Sequence, residues 1–375
     1  MRAVVPRETR QGERRVAATP ATVETITGWG WDLVVEPGAG TAAGITDDAY
    51  RDAGATIAPS AVPEADLVLQ VGPPTGEALA ALREGATIVG FLDPFVDADI
   101  IRTCQRKRLT ALAVEAIPRT TLSQGMDALS SQANLAGYAA VLAGATACPR
   151  LLPMMVTAAG TIPPSKALIL GVGVAGLQAI ATARRLGAVV HAYDIRTETR
   201  EQVESLGAKF VAAPTAEADE GGYAREVATD TKELQHAALA PFVAEADLVV
   251  TTAQIPGRRA PVLITRDMVE WMKAGSVVID MAAGSGGNVE GSRPGEIVNV
   301  GGVAIHGPTN LASSVPADAS RMYARNLMML LERATDDEGE LLLDLQDEII
   351  GGCTVVHAGD VRHPRSIALL EGAGS

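Results

Sequence analysis

The stretch K-A-L-I-L-G-V-G-V-A-G, residues 166–176, predicts how the chain folds. It begins with a short apolar run, typical of a buried strand, and residues 177–186 behind the glycines are typical of a helix. The order strand, glycine turn, helix opens a dinucleotide-binding βαβ unit. Gly171 permits the tight turn, Gly173 lets the backbone approach a pyrophosphate, and Gly176 lets helix and strand pack closely. In a glycine-rich chain, an incidental turn is the alternative.

A second apolar run, residues 188–193, follows the helix and ends in Asp194. An acid at about this distance behind the glycines is expected to bind ribose hydroxyls. Arg196 lies two residues further on and could tolerate a 2′-phosphate, but the Asp194 carboxylate would repel one. We therefore expect NAD rather than NADP at this turn.

Composition excludes several other classes of protein. A net charge of −14 argues against nucleic acid or an anionic membrane as a direct partner. Cys104, Cys148 and Cys353 form no C-x-x-C pair, and the histidines have no metal-ligand spacing, so we predict no disulfide framework and no metal site. The most apolar long segment, residues 135–148, is shorter than the roughly 20 residues that a bilayer requires. With no signal peptide at the N-terminus, we expect a soluble cytoplasmic protein.

Strands alternate with helical stretches in both halves of the chain, which predicts an α/β fold of two doubly wound, Rossmann-like parallel sheets. The predicted strands are residues 3–5, 33–36, 65–71, 87–92, 110–114, 167–170, 188–193, 248–252, 277–281 and 303–306. Long helices predicted at 123–147 and 316–333 join the two domains. We expect the first domain to comprise residues 1–130 and 318–375, and the NAD-binding domain residues 131–317. A second glycine loop, residues 37–44, lacks the nucleotide-binding spacing and is interpreted as a turn.

A polar cluster, P-R-T-T-L-S-Q-G-M-D at residues 118–127, lies between a predicted strand end and a predicted helix. In doubly wound folds ligands bind at that edge of the sheet. Arg119 and Asp127 could pair and leave donors and acceptors to fix a carboxamide. A helix-capping cluster with Ser123 as the N-cap explains the same residues equally well.

Long motifs run through nearly the whole chain. They are V-P-R-E-T-R-x-G-E-R-R-V-A from Val5, V-E-P-G-A-G from Val35, P-R-x-x-x-S-Q-x-M-D from Pro118, S-S-Q-A-N-L-A-G-Y from Ser130, P-M-M-V-T-A-A-G-T-I-P-P from Pro153, G-V-G-V-A-G-L-Q-A-I-A-T-A from Gly171, E-Q-V-E-S-L-G-A-K-F from Glu201, G-G-Y-A-R-E from Gly221 and I-P-G-R-R-A-P-V-L-I from Ile255. With these motifs the chain resembles the NAD(H)-binding component, the first domain, of proton-translocating nicotinamide nucleotide transhydrogenase. It is also related to alanine dehydrogenase.

The resemblance implies roles for individual residues. Arg119, Gln124 and Asp127 would position the nicotinamide, and Tyr223 would belong to a mobile loop that closes over the nucleotide. The remaining residues that it places at the cofactor are Ser130, Gly171, Gly173, Val174, Gly176, Asp194, Ile195, Arg196, Gly222 and Ile255. Among these, Asp194 would hold the adenosine ribose.

The resemblance also implies partners. The chain would form a homodimer and dock on an NADP(H)-binding subunit and a membrane proton-channel subunit, at the cytoplasmic face of the membrane. Hydride would pass directly between the two nicotinamides, and no side chain need act as acid or base.

Alanine dehydrogenase is the nearest alternative. That family carries a substrate-binding lysine after the strand matching residues 65–71 and a catalytic histidine after the next strand. This chain has V-G-P at residues 71–73 and F-L-D-P at residues 91–94, so both are absent. Asp93 also departs from the transhydrogenase pattern. A third possibility is a regulatory nucleotide-binding module without chemistry, against which the polar cluster at 118–127 argues.

Overall fold

The computed structural model of the protein describes residues 1–213, 229–254 and 259–372. The strands within those ranges are β1 (Arg2–Val5), β2 (Asp32–Val35), β3 (Thr56–Ile57), β4 (Leu67–Leu69), β5 (Thr87–Gly90), β6 (Thr110–Ala113), β7 (Met155–Thr157), β8 (Gly160–Ile162), β9 (Lys166–Leu170), β10 (Val189–Tyr193), β11 (Lys209–Phe210), β12 (Leu248–Thr251), β13 (Val277–Asp280), β14 (Ile297–Val300), β15 (Val303–His306), β16 (Thr354–His357) and β17 (Asp360–Val361). The α-helices are α1 (Pro20–Gly28), α2 (Asp47–Asp52), α3 (Gly76–Ala81), α4 (Ala98–Arg106), α5 (Ala128–Ala147), α6 (Val174–Arg185), α7 (Arg200–Ser205), α8 (Thr229–Glu245), α9 (Arg266–Glu270), α10 (Pro316–Arg333), α11 (Glu348–Cys353) and α12 (Pro364–Gly372).

The chain divides into two compact units, each with its own sheet. Unit 1 comprises Met1–Gln132 and Ala312–Ser375, and unit 2 comprises Ala133–Leu311. The sheet of unit 1 has the order β17-β16-β6-β5-β4-β1-β2-β3, and that of unit 2 has the order β11-β10-β9-β12-β13-β15-β14. Both contain the doubly wound order 3-2-1-4-5-6, which confirms the predicted fold class.

The edges of the sheets differ from a purely parallel arrangement. β16 pairs antiparallel with β6 and with β17, and β14 pairs antiparallel with β15. The other pairings within the two large sheets are parallel, as predicted.

The central strands are buried on both faces, which explains their uninterrupted apolar sequences. Every residue of β12 and β13 is buried, as are the last four of β9. Burying a side chain such as Leu168 or Ile169 stabilises the fold by about 1.5–3 kcal/mol. In unit 2 this rigid sheet carries the glycine turn.

The helix predicted from Ser123 begins later than expected. A short 3₁₀ turn occupies Gln124–Met126, and α5 starts at Ala128. Asp127 caps it, since its Oδ1 accepts a 2.8 Å hydrogen bond from the Ser130 amide. The Ser123 hydroxyl instead donates to the carbonyl oxygen of Pro118, so the assignment of Ser123 as the N-cap was wrong.

Two glycines let α5 pack closely within unit 2. A Cβ added at Gly137 would overlap the carbonyl oxygen of Ala175, and one at Gly144 would overlap the side chain of Leu248. Each glycine costs about 1 kcal/mol of helix propensity, and close packing offsets this cost. In the described part of the chain, no helix combines the length and apolar character that crossing a membrane requires.

Candidate functional site

The glycine turn connects β9 to α6. At two of its positions a side chain would not fit, so glycine is required. Gly171 has a φ of +94°, and a Cβ there would lie 2.6 Å from Thr252 Oγ1. A Cβ at Gly176 would overlap the carbonyl oxygen of Gly171. Glycine at position 171 therefore lets the turn pack against the segment after β12, and glycine at position 176 lets α6 approach the end of β9.

Gly173 differs because a Cβ at this position would have no atom within 4 Å. The backbone is thus open on that side, directly before α6 begins at Val174. The first amides of a helix have no partners inside the helix, and its dipole places positive charge there. An open backbone at a helix N-terminus fits the pyrophosphate of a dinucleotide.

The turn is supported by residues that sequence reasoning missed. Thr252, just beyond β12, donates from Oγ1 to the carbonyl oxygen of Gly171 over 3.0 Å. The fully buried Asn288 bonds to both the amide and the carbonyl oxygen of Ala253, at 3.0 and 2.8 Å. The buried Asp280 carboxylate in turn accepts from the Asn288 amide. Asp280 could have been found from the sequence, because it is a carboxylate at the end of an apolar strand.

Asp194 lies at the end of β10 beside the glycine turn. Its Oδ2 accepts from the Val172 amide at 2.7 Å, inside the glycine sequence itself. Its Oδ1 accepts from the amide of Arg196 at 2.9 Å. The Arg196 guanidinium then binds both carboxylate oxygens, through Nε and Nη2, each at 2.9 Å. The structure thus brings the glycine turn, Asp194 and Arg196 together, with Ile195 between the last two.

The polar cluster in unit 1 forms a loop anchored on α10. Asn326 Nδ2 donates to the carbonyl oxygen of Gly125 over 2.7 Å, and a Cβ at Gly125 would overlap the Met329 side chain. Arg119 and Gln124 are exposed on this loop. The loop is therefore held at its backbone while these two side chains face solvent.

Asp127 and Ser130 form the cap of α5. Besides the amide bond to Oδ1, the Ser130 hydroxyl donates to Asp127 Oδ2 over 2.6 Å. The residue that caps α5 is therefore Asp127 and not Ser123. Gly222, Tyr223 and Ile255, by contrast, lie outside the described residues.

Unit 1 contains two partly buried glutamates at the carboxyl ends of its strands. Glu8 Oε1 accepts from the Val71 amide at 2.6 Å, and Glu115 Oε1 accepts from the amides of Leu92 and Asp93 at 2.8 and 2.7 Å. Burial raises the pKa of each glutamate to about 7. Burial also raises the pKa of Asp93, which adopts a left-handed φ of +50°. Sequence reasoning had no signal for the two glutamates.

Arg15 is also buried in unit 1, and its guanidinium is hydrogen-bonded to other side chains. Its Nε and Nη2 bind the Glu13 carboxylate at 2.7 and 2.6 Å, and Nη1 donates to Gln132 Oε1 at 2.9 Å. All three guanidinium nitrogens therefore have partners within unit 1.

Two family models match most of this chain. The family models described as alanine dehydrogenase/PNT N-terminal and C-terminal domain match residues 4–136 and 140–364. The chain is 47% identical to the first segment of the NAD(P) transhydrogenase alpha subunit of Rhodospirillum rubrum, over 97% of this chain and 98% of that protein.

Solved structures lead to the same family. The transhydrogenase from Sinorhizobium meliloti matches with a TM-score of 0.88 and 43% identity, covering 96% of this chain and 100% of that one. An L-alanine dehydrogenase matches with a TM-score of 0.82 and 26% identity, covering 99% of both chains. The chain therefore belongs to the alanine dehydrogenase/PNT family, in which it is a relative of the transhydrogenase alpha subunits.

Proposed function

We propose that this chain is the NAD(H)-binding component of a proton-translocating transhydrogenase. Hydride passes directly from NADH to NADP⁺ held on a partner subunit, and the transfer is coupled to proton movement across the membrane by a proton-channel subunit. The observation that carries the proposal is the open backbone at Gly173, at the N-terminus of α6 and beside Asp194. The 47% identity to a transhydrogenase alpha subunit supports this function over others in the family.

The chain's own residues bind and orient. The NAD-binding domain, residues 131–317, holds the pyrophosphate at Gly171, Gly173, Val174 and Gly176. The adenosine ribose binds at Asp194, with Ile195 and Arg196 beside it. Gly222, Tyr223 and Ile255 complete the nucleotide contacts. Bound NADH supplies the hydride, so catalysis consists of orientation and exclusion of water and requires no acid or base from the protein.

The nicotinamide is assigned to the loop on unit 1. The exposed side chains of Arg119 and Gln124 offer donors and an acceptor to its carboxamide. Asp127 and Ser130 fix the end of that loop through their cap. A rigid backbone with exposed polar side chains suits a positioning role.

We further propose a homodimer that lies on the cytoplasmic face of the membrane, against its partner subunits. Support for the dimer comes from the hairpin of β7 and β8, whose strands pair with each other and are exposed at every residue. Met154, Val156 and Ile162 are 61%, 68% and 43% exposed. Apolar side chains clustered on one exposed hairpin are typical of an interaction surface.

Alanine dehydrogenase activity is disfavoured by the polar groups of unit 1. Gly72 and Asp93 lie in the segments where that family carries lysine and histidine. An imine substrate would therefore lack its usual acid–base partner.

Reconstitution tests the proposal. The purified chain is mixed with an NADP(H)-binding transhydrogenase component, and transfer between NADH and an NADP⁺ analogue is followed by absorbance. The proposal requires transfer only with both components present. NADH binding without transfer would favour a regulatory module, and alanine-dependent NAD⁺ reduction by the chain alone would establish the dehydrogenase.

A further inference from the structure

The Asp194 carboxylate has no unused acceptor position. A carboxylate offers about four lone-pair sites on its two oxygens. Oδ1 accepts from the amide and Nε of Arg196, and Oδ2 accepts from the Val172 amide and from Nη2 of Arg196. Each oxygen therefore accepts two hydrogen bonds from protein groups at 2.7–2.9 Å.

These four donors differ in how easily they can leave. The amides of Val172 and Arg196 belong to the backbone of the glycine turn and of the bend after β10, so they move only if the chain moves. The two guanidinium donors belong to one side chain, which can leave by rotation about its own bonds. A ribose diol, which donates through two hydroxyl groups, needs as many acceptor sites as the guanidinium occupies.

The pair is also sheltered from water. The side chains of Asp194 and Arg196 are 6% and 19% exposed. A bidentate pair in such a place is screened less by solvent and salt than an ion pair on the surface. Its displacement by a ligand therefore weakens the net affinity measurably.

We infer that the Arg196 guanidinium is an internal competitor that occupies the adenosine-ribose position on Asp194 and must be displaced when NAD(H) binds. This inference rests on the proposed function, because it takes Asp194 as the ribose acceptor. By competing with the ribose for Asp194, Arg196 lowers the affinity of the chain for NAD(H). A component that exchanges NADH for NAD⁺ in each cycle benefits from such weakened binding, because the product dissociates faster.

Calorimetric NADH affinity of Arg196→Met tests the inference. Met keeps an unbranched apolar chain and removes the guanidinium, while both backbone donors remain. We expect NADH to bind roughly three- to tenfold more tightly than to the wild type. Arg185→Met is the matched control, since Arg185 is exposed at the end of α6 and the substitution changes the net charge equally. We expect this control to bind NADH like the wild type.

A second probe locates the effect at the ribose. The preference for 5′-AMP over 2′-deoxy-5′-AMP should increase in Arg196→Met, because the hydroxyl gains access to Asp194. In the Asp194→Asn background, the Met substitution should no longer tighten NADH binding, since the ion pair is already gone.

The outcomes separate the two proposals. Tighter NADH binding that depends on Asp194 supports the inference. Unchanged or weaker binding by Arg196→Met, with a wild type that binds NADH, overturns the inference and leaves the proposed function intact. A folded wild-type chain that fails to bind NADH at all overturns both.

Discussion

The Val172 amide donates a 2.7 Å hydrogen bond to Asp194 Oδ2, and this bond ties the middle of the glycine turn to the end of β10. Thr252 holds the same turn from the other side through the carbonyl oxygen of Gly171. The turn is therefore fixed by two neighbouring strands before any nucleotide binds. Such preorganisation means that substitutions at its glycines have separable effects on folding and binding.

Gly173→Ala should reduce affinity without affecting stability. The added methyl group meets no atom within 4 Å, and the φ of −81° suits alanine. It would, however, occupy the space through which a pyrophosphate approaches the backbone. We expect the free energy of unfolding to stay within about 0.5 kcal/mol of the wild type. Calorimetry should show NADH affinity at least tenfold lower, and wild-type affinity would remove Gly173 from the site.

Gly176→Ala should instead destabilise unit 2. Its methyl group would overlap the carbonyl oxygen of Gly171, so strand and helix would have to separate. Overpacking of this kind costs about 1–3 kcal/mol. Urea unfolding measures the loss, and Gly173→Ala is the matched control. Equal stability of the two variants would contradict the packing described at Gly176.

Asp127→Ala should affect both helix stability and hydride transfer. Loss of the cap on α5 costs about 1 kcal/mol, since the Ser130 amide loses its acceptor.

Gln124→Ala removes an exposed side chain and should leave stability unchanged while slowing transfer in the reconstituted system. If Gln124→Ala transferred hydride at the wild-type rate, Gln124 would have no role in positioning the nicotinamide.

Stability of the chain should fall between about pH 4.5 and pH 7 because of Glu115. The folded pKa is about 7 against an ordinary value of 4.5, so the folded state binds this proton more tightly than the unfolded state. The stabilisation is complete below pH 4.5 and is lost as the pH rises through 7. Over that interval, this shift in pKa lowers the free energy of unfolding by about 3 kcal/mol.

Glu115→Gln isolates this contribution. Glutamine can still accept hydrogen bonds from the amides of Leu92 and Asp93, but it cannot ionise. The variant should therefore gain stability relative to the wild type between pH 5 and pH 8, measured by urea unfolding. Glu24→Gln, at an exposed position of α1, is the control and should show no such change. A constant difference between Glu115→Gln and wild type across this range would show that Glu115 does not titrate there.

Strong local patterns made much of the fold predictable from the sequence. The strand of residues 166–170 is apolar on both faces, and α10 matches the predicted residues 316–333 because proline opens it and its apolar face is periodic. The edge strands β3, β11, β14 and β17 were missed, as was β16, which lies between β17 and β6. β3, β11 and β17 are only two residues long, too short to show an alternating pattern. β16 pairs with β6, far earlier in the chain, and local sequence does not specify that partner. α8 was missed because it contains Pro241, which is unfavourable inside a helix.

The polar interior of unit 1 was not predictable for a related reason. Glu8 bonds to an amide 63 residues away, and Glu115 bonds to one 23 residues away. No local motif indicates such contacts, because they exist only after the sheet has formed. Gly171, Gly176 and Asp194, by contrast, lie within one βαβ unit, so their spacing alone placed them together.

Isotope tracing can show whether hydride passes directly from one nucleotide to the other. NADH carrying deuterium at the transferred position is mixed with the chain, the NADP(H)-binding component and an NADP⁺ analogue, and the products are analysed by mass spectrometry. With direct transfer, we expect the reduced analogue to contain one deuterium, and solvent hydrogen should not enter that position. A reduced analogue that carries solvent hydrogen, or one formed without this chain, would contradict it.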